Sequence, residues 1–165
     1  MPQATPVLFG AVYLSKSLAP LAKRVGFRVV VVDDRAFFAD PGLFPDADEV
    51  IVAEFDVVFQ KLAVHRDSYV VIFTRGHLHD ATVLEQALST EAAYLGMIGS
   101  RTKIRTIYRE LQAGGVAADH LERVHALIGL PIAARSPEEI AVSILAELIS
   151  VRNGGQATRA MVSGR

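Results

Sequence analysis

Two short segments concentrate the side chains able to do chemistry. Gly99-Ser100-Arg101-Thr102-Lys103 follows an apolar run and opens a helical pattern. Free backbone N–H groups, a hydroxyl and two cations meet there, which is the composition of an anion site at a helix N-terminus. Thr74-Arg75-Gly76-His77-Leu78-His79-Asp80 is the densest polar patch in the chain. Arg75 is suited to bidentate contact with an anion, and His77 to proton donation. Gly76 and Asp80 belong to the same candidate binding cluster.

Two earlier segments add candidates. Asp33-Asp34-Arg35 ends a run of valines. Asp33 lies where an acid that holds a ribose hydroxyl pair is found in dinucleotide-binding folds, and Arg35 is placed to meet a phosphate. The first loop is Gly10-Ala11-Val12-Tyr13-Leu14-Ser15. Of the Gly pattern that lets a pyrophosphate approach the backbone, Gly10 alone fits. Val12 puts a β-branched side chain where bare backbone is needed. Gly10, Asp33, Arg35, Arg75, Gly76, His77, Asp80, Gly99, Ser100, Arg101 and Lys103 are therefore the candidate ligand-binding residues, and a phosphorylated small molecule is the expected ligand class.

Other chemistries find less support. The chain has no Cys, which excludes thiolate nucleophiles, disulfides and Cys-based metal sites. His77, His79 and Asp80 have ligand-like spacing, but a metal needs three or four converging ligands and no second cluster completes the set. No metal is expected. No Ser–His–Asp arrangement is defensible from spacing, so no catalytic residue is assigned.

These clusters need elements to position them. Each follows a short apolar run and precedes a helical pattern: Val7–Phe9, Arg28–Val32, Tyr69–Thr74 and Ala93–Ile98 read as strands, with Glu49–Val52 as a further one. Helices are expected over Leu14–Val25, Asp56–Val64, Asp80–Leu88 with Asp80 as N-cap, Ser100–Gln112 and Pro137–Arg152. The last opens with Ser136-Pro137-Glu138-Glu139, a capping box with Pro at the first helical position. Val116–Arg135 is the least readable segment, with room for a short strand or turn. Alternating strands and helices predict an α/β fold, a doubly wound, mostly parallel Rossmann-like sheet in three α/β/α layers. In such a sheet the ligand crevice lies outside the carboxyl ends of the strands, where all these clusters fall. One domain is expected over residues 1–152, with a disordered tail over 153–165.

The chain has 165 residues and a net charge of −1, so bulk electrostatics favours neither nucleic acid nor an anionic membrane. No apolar run approaches a membrane span and the N-terminus does not read as a signal peptide. A cytoplasmic protein is expected.

The stretches GFRVVVVDDR, FPDADEV, TRGHLHDATVLEQAL, AAYLGMIGSRTKI and IGLPIAARSPEEIAVSILAELI, in this order, resemble the Rossmann-like C-terminal domain of the XdhC/CoxI family, the xanthine dehydrogenase accessory proteins. The resemblance runs from about Val7 to Arg152. It implies a maturation factor rather than a catalyst: one that binds molybdenum cofactor (molybdopterin), delivers it to a molybdenum hydroxylase such as xanthine dehydrogenase, and cooperates with a sulfurating enzyme. The family's strand-end motifs fall on Gly10, Asp33, Arg35, Arg75, His77, Asp80, Gly99, Ser100, Arg101 and Lys103. The family's first loop is commonly Gly-x-Gly-His, and Gly-Ala-Val-Tyr here disfavours ligand binding at that loop. A further N-terminal domain is usual in the family.

Two other readings use the same fold. An NAD(P)-dependent oxidoreductase is disfavoured by Val12 and by the lack of a substrate domain. A homodimeric interaction module would dock a target enzyme without holding a small molecule, using the apolar stripe Ile140, Ile144, Leu145 and Leu148. Such a stripe more often packs on a sheet.

Overall fold

The computed structural model describes residues 3–155. Six strands are present: β1 (Thr5–Phe9), β2 (Val30–Asp33), β3 (Glu49–Val52), β4 (Ser68–Ile72), β5 (Tyr94–Met97) and β6 (Val124–His125). They form one sheet in the order β3-β2-β1-β4-β5-β6, and every pairing is parallel. The helices are α1 (Tyr13–Arg24), α2 (Val58–Lys61), α3 (His77–Ala87), α4 (Arg101–Ala113), α5 (Ala118–Leu121) and α6 (Pro137–Arg152). This is the doubly wound Rossmann-like α/β arrangement expected.

The valine-rich runs make central strands because both faces are covered. Phe9, Val32, Ile72 and Met97 point to the face packed by α2, α3, α4 and α5. Leu8, Val31, Val71 and Tyr94 point to the face packed by α1 and α6. In register, Leu8 stands between Val31 and Val71. A one-residue slip would exchange these two cores, so the register is strongly specified. The strand order reverses between β1 and β4, which places the crossover crevice beside Gly10 and Thr74.

Helix boundaries follow local chemistry, with two departures from expectation. Asp80 is not an N-cap. Gly76 holds that position, α3 begins at His77, and Asp80 lies buried in the first turn. The helix expected over Asp56–Val64 shrinks to Val58–Lys61: Val57 offers no capping side chain and Leu62 is already extended. Three valines in that stretch also lower helix propensity. The segment 116–135 contains α5, β6 and an irregular loop whose Gly129 has φ +92°.

The capping box forms as read. Ser136 Oγ accepts the Glu139 N–H at 3.1 Å and Glu139 Oε1 accepts the Ser136 N–H at 3.0 Å. Gly26, with φ +95°, turns the chain out of α1. At the amino ends of β5 and β6 Arg123 donates to the carbonyls of Leu88, Thr90 and Ala92, fixing the approach to β5. Asn153–Gly155 complete the end of α6, where Asn153 N–H bonds the Ile149 carbonyl. The rest of the tail expected to be disordered lies outside the described residues. Among the described residues no helix is long and apolar enough to cross a membrane.

Candidate functional site

The first loop is tied down by its own chain. Gly10 has φ +126°, and a Cβ there would sit 2.7 Å from the Phe73 carbonyl oxygen, so β1 and β4 approach too closely for any side chain. Ser15 Oγ donates to the Gly10 carbonyl. Ala11 N–H donates to Asp33 Oδ2 at 2.8 Å. Asp33, at the end of β2 and 1% exposed, also accepts Arg35 N–H, Nε and Nη2 at 2.9–3.0 Å. Burial pushes this carboxyl up, but the Arg35 guanidinium and the Ala11 and Arg35 N–H groups outweigh burial and hold it well below the usual carboxylate range. The Arg35 guanidinium in turn stacks 4.2 Å over the Phe38 ring.

The second cluster is self-paired in the same way. Arg75 makes a bidentate bridge to Asp34 at 2.6 and 2.9 Å. His77 Nε2 lies 3.0 Å from Glu110 of α4. His79 packs 5.2 Å from the Phe55 ring. Asp80 turns inward, where it accepts the Thr74 hydroxyl and pairs with Lys103. Its burial raises the carboxyl pKa, and Lys103 and Thr74 only partly offset this. Two His and an Asp adjacent in sequence thus point to three different surroundings.

The third cluster keeps open capacity. Ser100 caps α4, its Oγ accepting the Lys103 N–H at 3.1 Å. The intrahelical ladder begins with Ile104 N–H on the Ser100 carbonyl, so the N–H groups of Arg101 and Thr102 precede it. Arg101 is exposed. Gly99 has φ +153°, and Lys103 folds back across it toward Asp80.

Beside Gly99 lies an open apolar depression of about 270 Å³, whose lining includes Ile98, Leu130, Ile132 and Ile140. Its wall, the loop after β6, is anchored from behind by a wholly buried acid. Glu147 Oε1 accepts the Tyr94 hydroxyl at 2.5 Å and the Gly129 N–H at 3.2 Å, and lies 3.4 Å from His125 Nδ1. Burial, then the Glu147 charge, raise the Tyr94 phenol far above its ordinary value.

Residues 7–148 match the family model described as the XdhC Rossmann domain. The chain belongs to this family. Relatives agree: this XdhC Rossmann domain is 33% identical over 151 residues to a Bacillus subtilis (strain 168) protein named as a probable xanthine dehydrogenase subunit, covering 92% of this chain and 44% of that one. It is 35% identical over 148 residues to "Uncharacterized protein YqeB" of Escherichia coli (strain K12), covering 89% of this chain and 27% of that one. The crystal structure of a xanthine dehydrogenase from Bacillus halodurans superposes with TM-score 0.80 at 34% identity, over 99% of this chain and 45% of that one. The XdhC Rossmann domain thus spans less than half the length of these relatives.

The fold gathers the predicted residues on one edge but divides them. Gly10, Asp33 and Arg35 close upon themselves near the crossover. Arg75 and His77 face acids, and Asp80 is internal. Gly99, Ser100, Arg101 and Lys103 surround the open helix end. Sequence reasoning missed Asp34, Glu110 and Glu147 as partners. Glu147 had a signal: it follows Ile140 by seven residues, on the stripe shared with Ile144.

Proposed function

We propose that this domain binds molybdenum cofactor by its terminal phosphate at the start of α4 and serves, without catalysing a reaction itself, in supplying a xanthine dehydrogenase-type hydroxylase. One juxtaposition carries the reading: a helix N-terminus with no acidic residue in its first turn and with exposed Arg101 directly adjoins the apolar depression behind Gly99. A phosphate needs N–H donors and a cation, and a flat heterocycle needs apolar walls with room between them. Both requirements are met side by side, so the residues present fit the ligand. Family membership and the names of the Bacillus relatives support the hydroxylase connection.

Arg75 and His77 lie further along the edge and contribute to the ring's polar substituents when they exchange their present carboxylate partners. The test is anaerobic purification of the domain from cells that make the cofactor, followed by oxidation of bound pterin to a fluorescent product. Pterin approaching one per chain is expected. Protein free of pterin, with the cofactor demonstrably present in the same cells, contradicts the proposal.

A further inference from the structure

An ionised carboxylate offers about four lone-pair positions. On Asp33 all four are filled from within the chain: Oδ1 accepts Arg35 N–H and Nε, and Oδ2 accepts Ala11 N–H and Arg35 Nη2. A ribose diol at this place would bring two hydroxyl donors to an acid with no acceptor left. Arg35 is kept in place by its stacking on Phe38, and Arg75 Nη1 approaches Asp33 Oδ1 to 3.8 Å.

We infer that the Asp33–Arg35 pair is a specificity device: it fills the ribose-holding position of the crossover crevice, so the edge refuses dinucleotides anchored by their ribose and admits a ligand ending in a single phosphate. The single-phosphate half deepens the proposed function and rests on it. The refusal of dinucleotides stands by itself and is measured separately.

The probe is NADH. Its fluorescence change is read on a chain without Trp, so no tryptophan emission overlaps the excitation. Wild type, Val12→Gly, Arg35→Ala, Arg35→Lys and the double variant Val12→Gly/Arg35→Ala are titrated to about 1 mM. Wild type and Val12→Gly show no saturable binding. Arg35→Ala gains it by freeing two positions on Asp33, and the double variant binds at least about tenfold tighter than Val12→Gly. Arg35→Lys keeps the charge but loses the fork; it gains binding too and replaces Arg35→Ala if that variant does not fold. Saturable NADH binding by wild type overturns the inference. So does Val12→Gly binding as tightly as the double variant, or no gain in any folded variant lacking Arg35. Failure of the cofactor reading shows elsewhere, as wild-type protein that binds no molybdenum cofactor.

Discussion

Lys103 lies directly against Gly99: a Cβ on Gly99 would sit 3.0 Å from Lys103 Cδ, at a backbone φ of +153°. The lysine stem runs across this residue to reach Asp80, and the helix end it starts from is the proposed phosphate site. Gly99→Ala therefore strains the loop and displaces the lysine together. The expected cost is about 1–3 kcal/mol of stability, the range for a residue held in a disfavoured backbone region. Cofactor affinity should fall at least about tenfold, which is about 1.4 kcal/mol. Urea unfolding and equilibrium binding of the same preparation measure the two effects.

Glu147 is buried beneath the wall of the apolar depression and holds Tyr94 and Gly129 at once. Glu147→Ala leaves both buried donors without this acceptor. A loss of about 2–5 kcal/mol is expected, since each unsatisfied buried group costs about 1–3 kcal/mol. Glu147→Gln keeps an acceptor oxygen and should lose less than half as much. Equal losses in the two variants, read from chemical denaturation, would contradict this role for Oε1.

Asp33 predicts the acid limb of the stability curve. Its folded pKa lies below the ordinary 3.8. A depressed carboxyl contributes stability that is fully present above 3.8 and is lost as pH falls toward the folded value. Asp33→Asn should be less stable at pH 7 by about 2 kcal/mol, the scale for hydrogen bonds to a charged group. The gap to wild type should narrow below about pH 4. Asp80 works in the opposite sense. Its raised folded pKa favours the protonated form, so its contribution declines as pH rises from 3.8 through the folded value. Denaturation midpoints from pH 2 to 7 for wild type, Asp33→Asn and Asp80→Asn resolve the two signs.

Arg123 separates stability from binding. It ties three carbonyls before β5, at the edge of the sheet remote from the proposed site. Arg123→Ala should cost about 1–3 kcal/mol while cofactor affinity per folded molecule stays within about twofold. A large affinity loss in folded protein would show that the whole sheet, rather than its carboxyl edge, sets the binding geometry.

Much of this architecture is written locally. Val30–Val32 and Val70–Ile72 read as doubly buried strands because β-branched runs have few other uses, and Ser136–Glu139 announces a helix start through its own hydrogen bonds. The pairings that decide the site are not local. Asp34 meets Arg75 across 41 positions, and His77 meets Glu110 across 33. No periodicity encodes either contact; the first joins the loops after β2 and β4, and the second exists because α3 packs beside α4. Asp80 misled for a related reason. An Asp before an apolar helical pattern suits an N-cap, but the tertiary pull of Lys103 and Thr74 draws it inside and leaves Gly76 at the N-cap position.

The most direct measurement is anaerobic equilibrium binding of isolated molybdenum cofactor to wild type and to Ser100→Ala/Arg101→Ala, with NADH titrated in parallel. Removing the exposed cation and the cap side chain deletes most of what the chain adds to the helix end. Saturable wild-type binding, weakened at least about tenfold in the double variant and absent for NADH, is the predicted result. Cofactor binding that is unchanged in the folded double variant would place the ligand elsewhere and contradict the account.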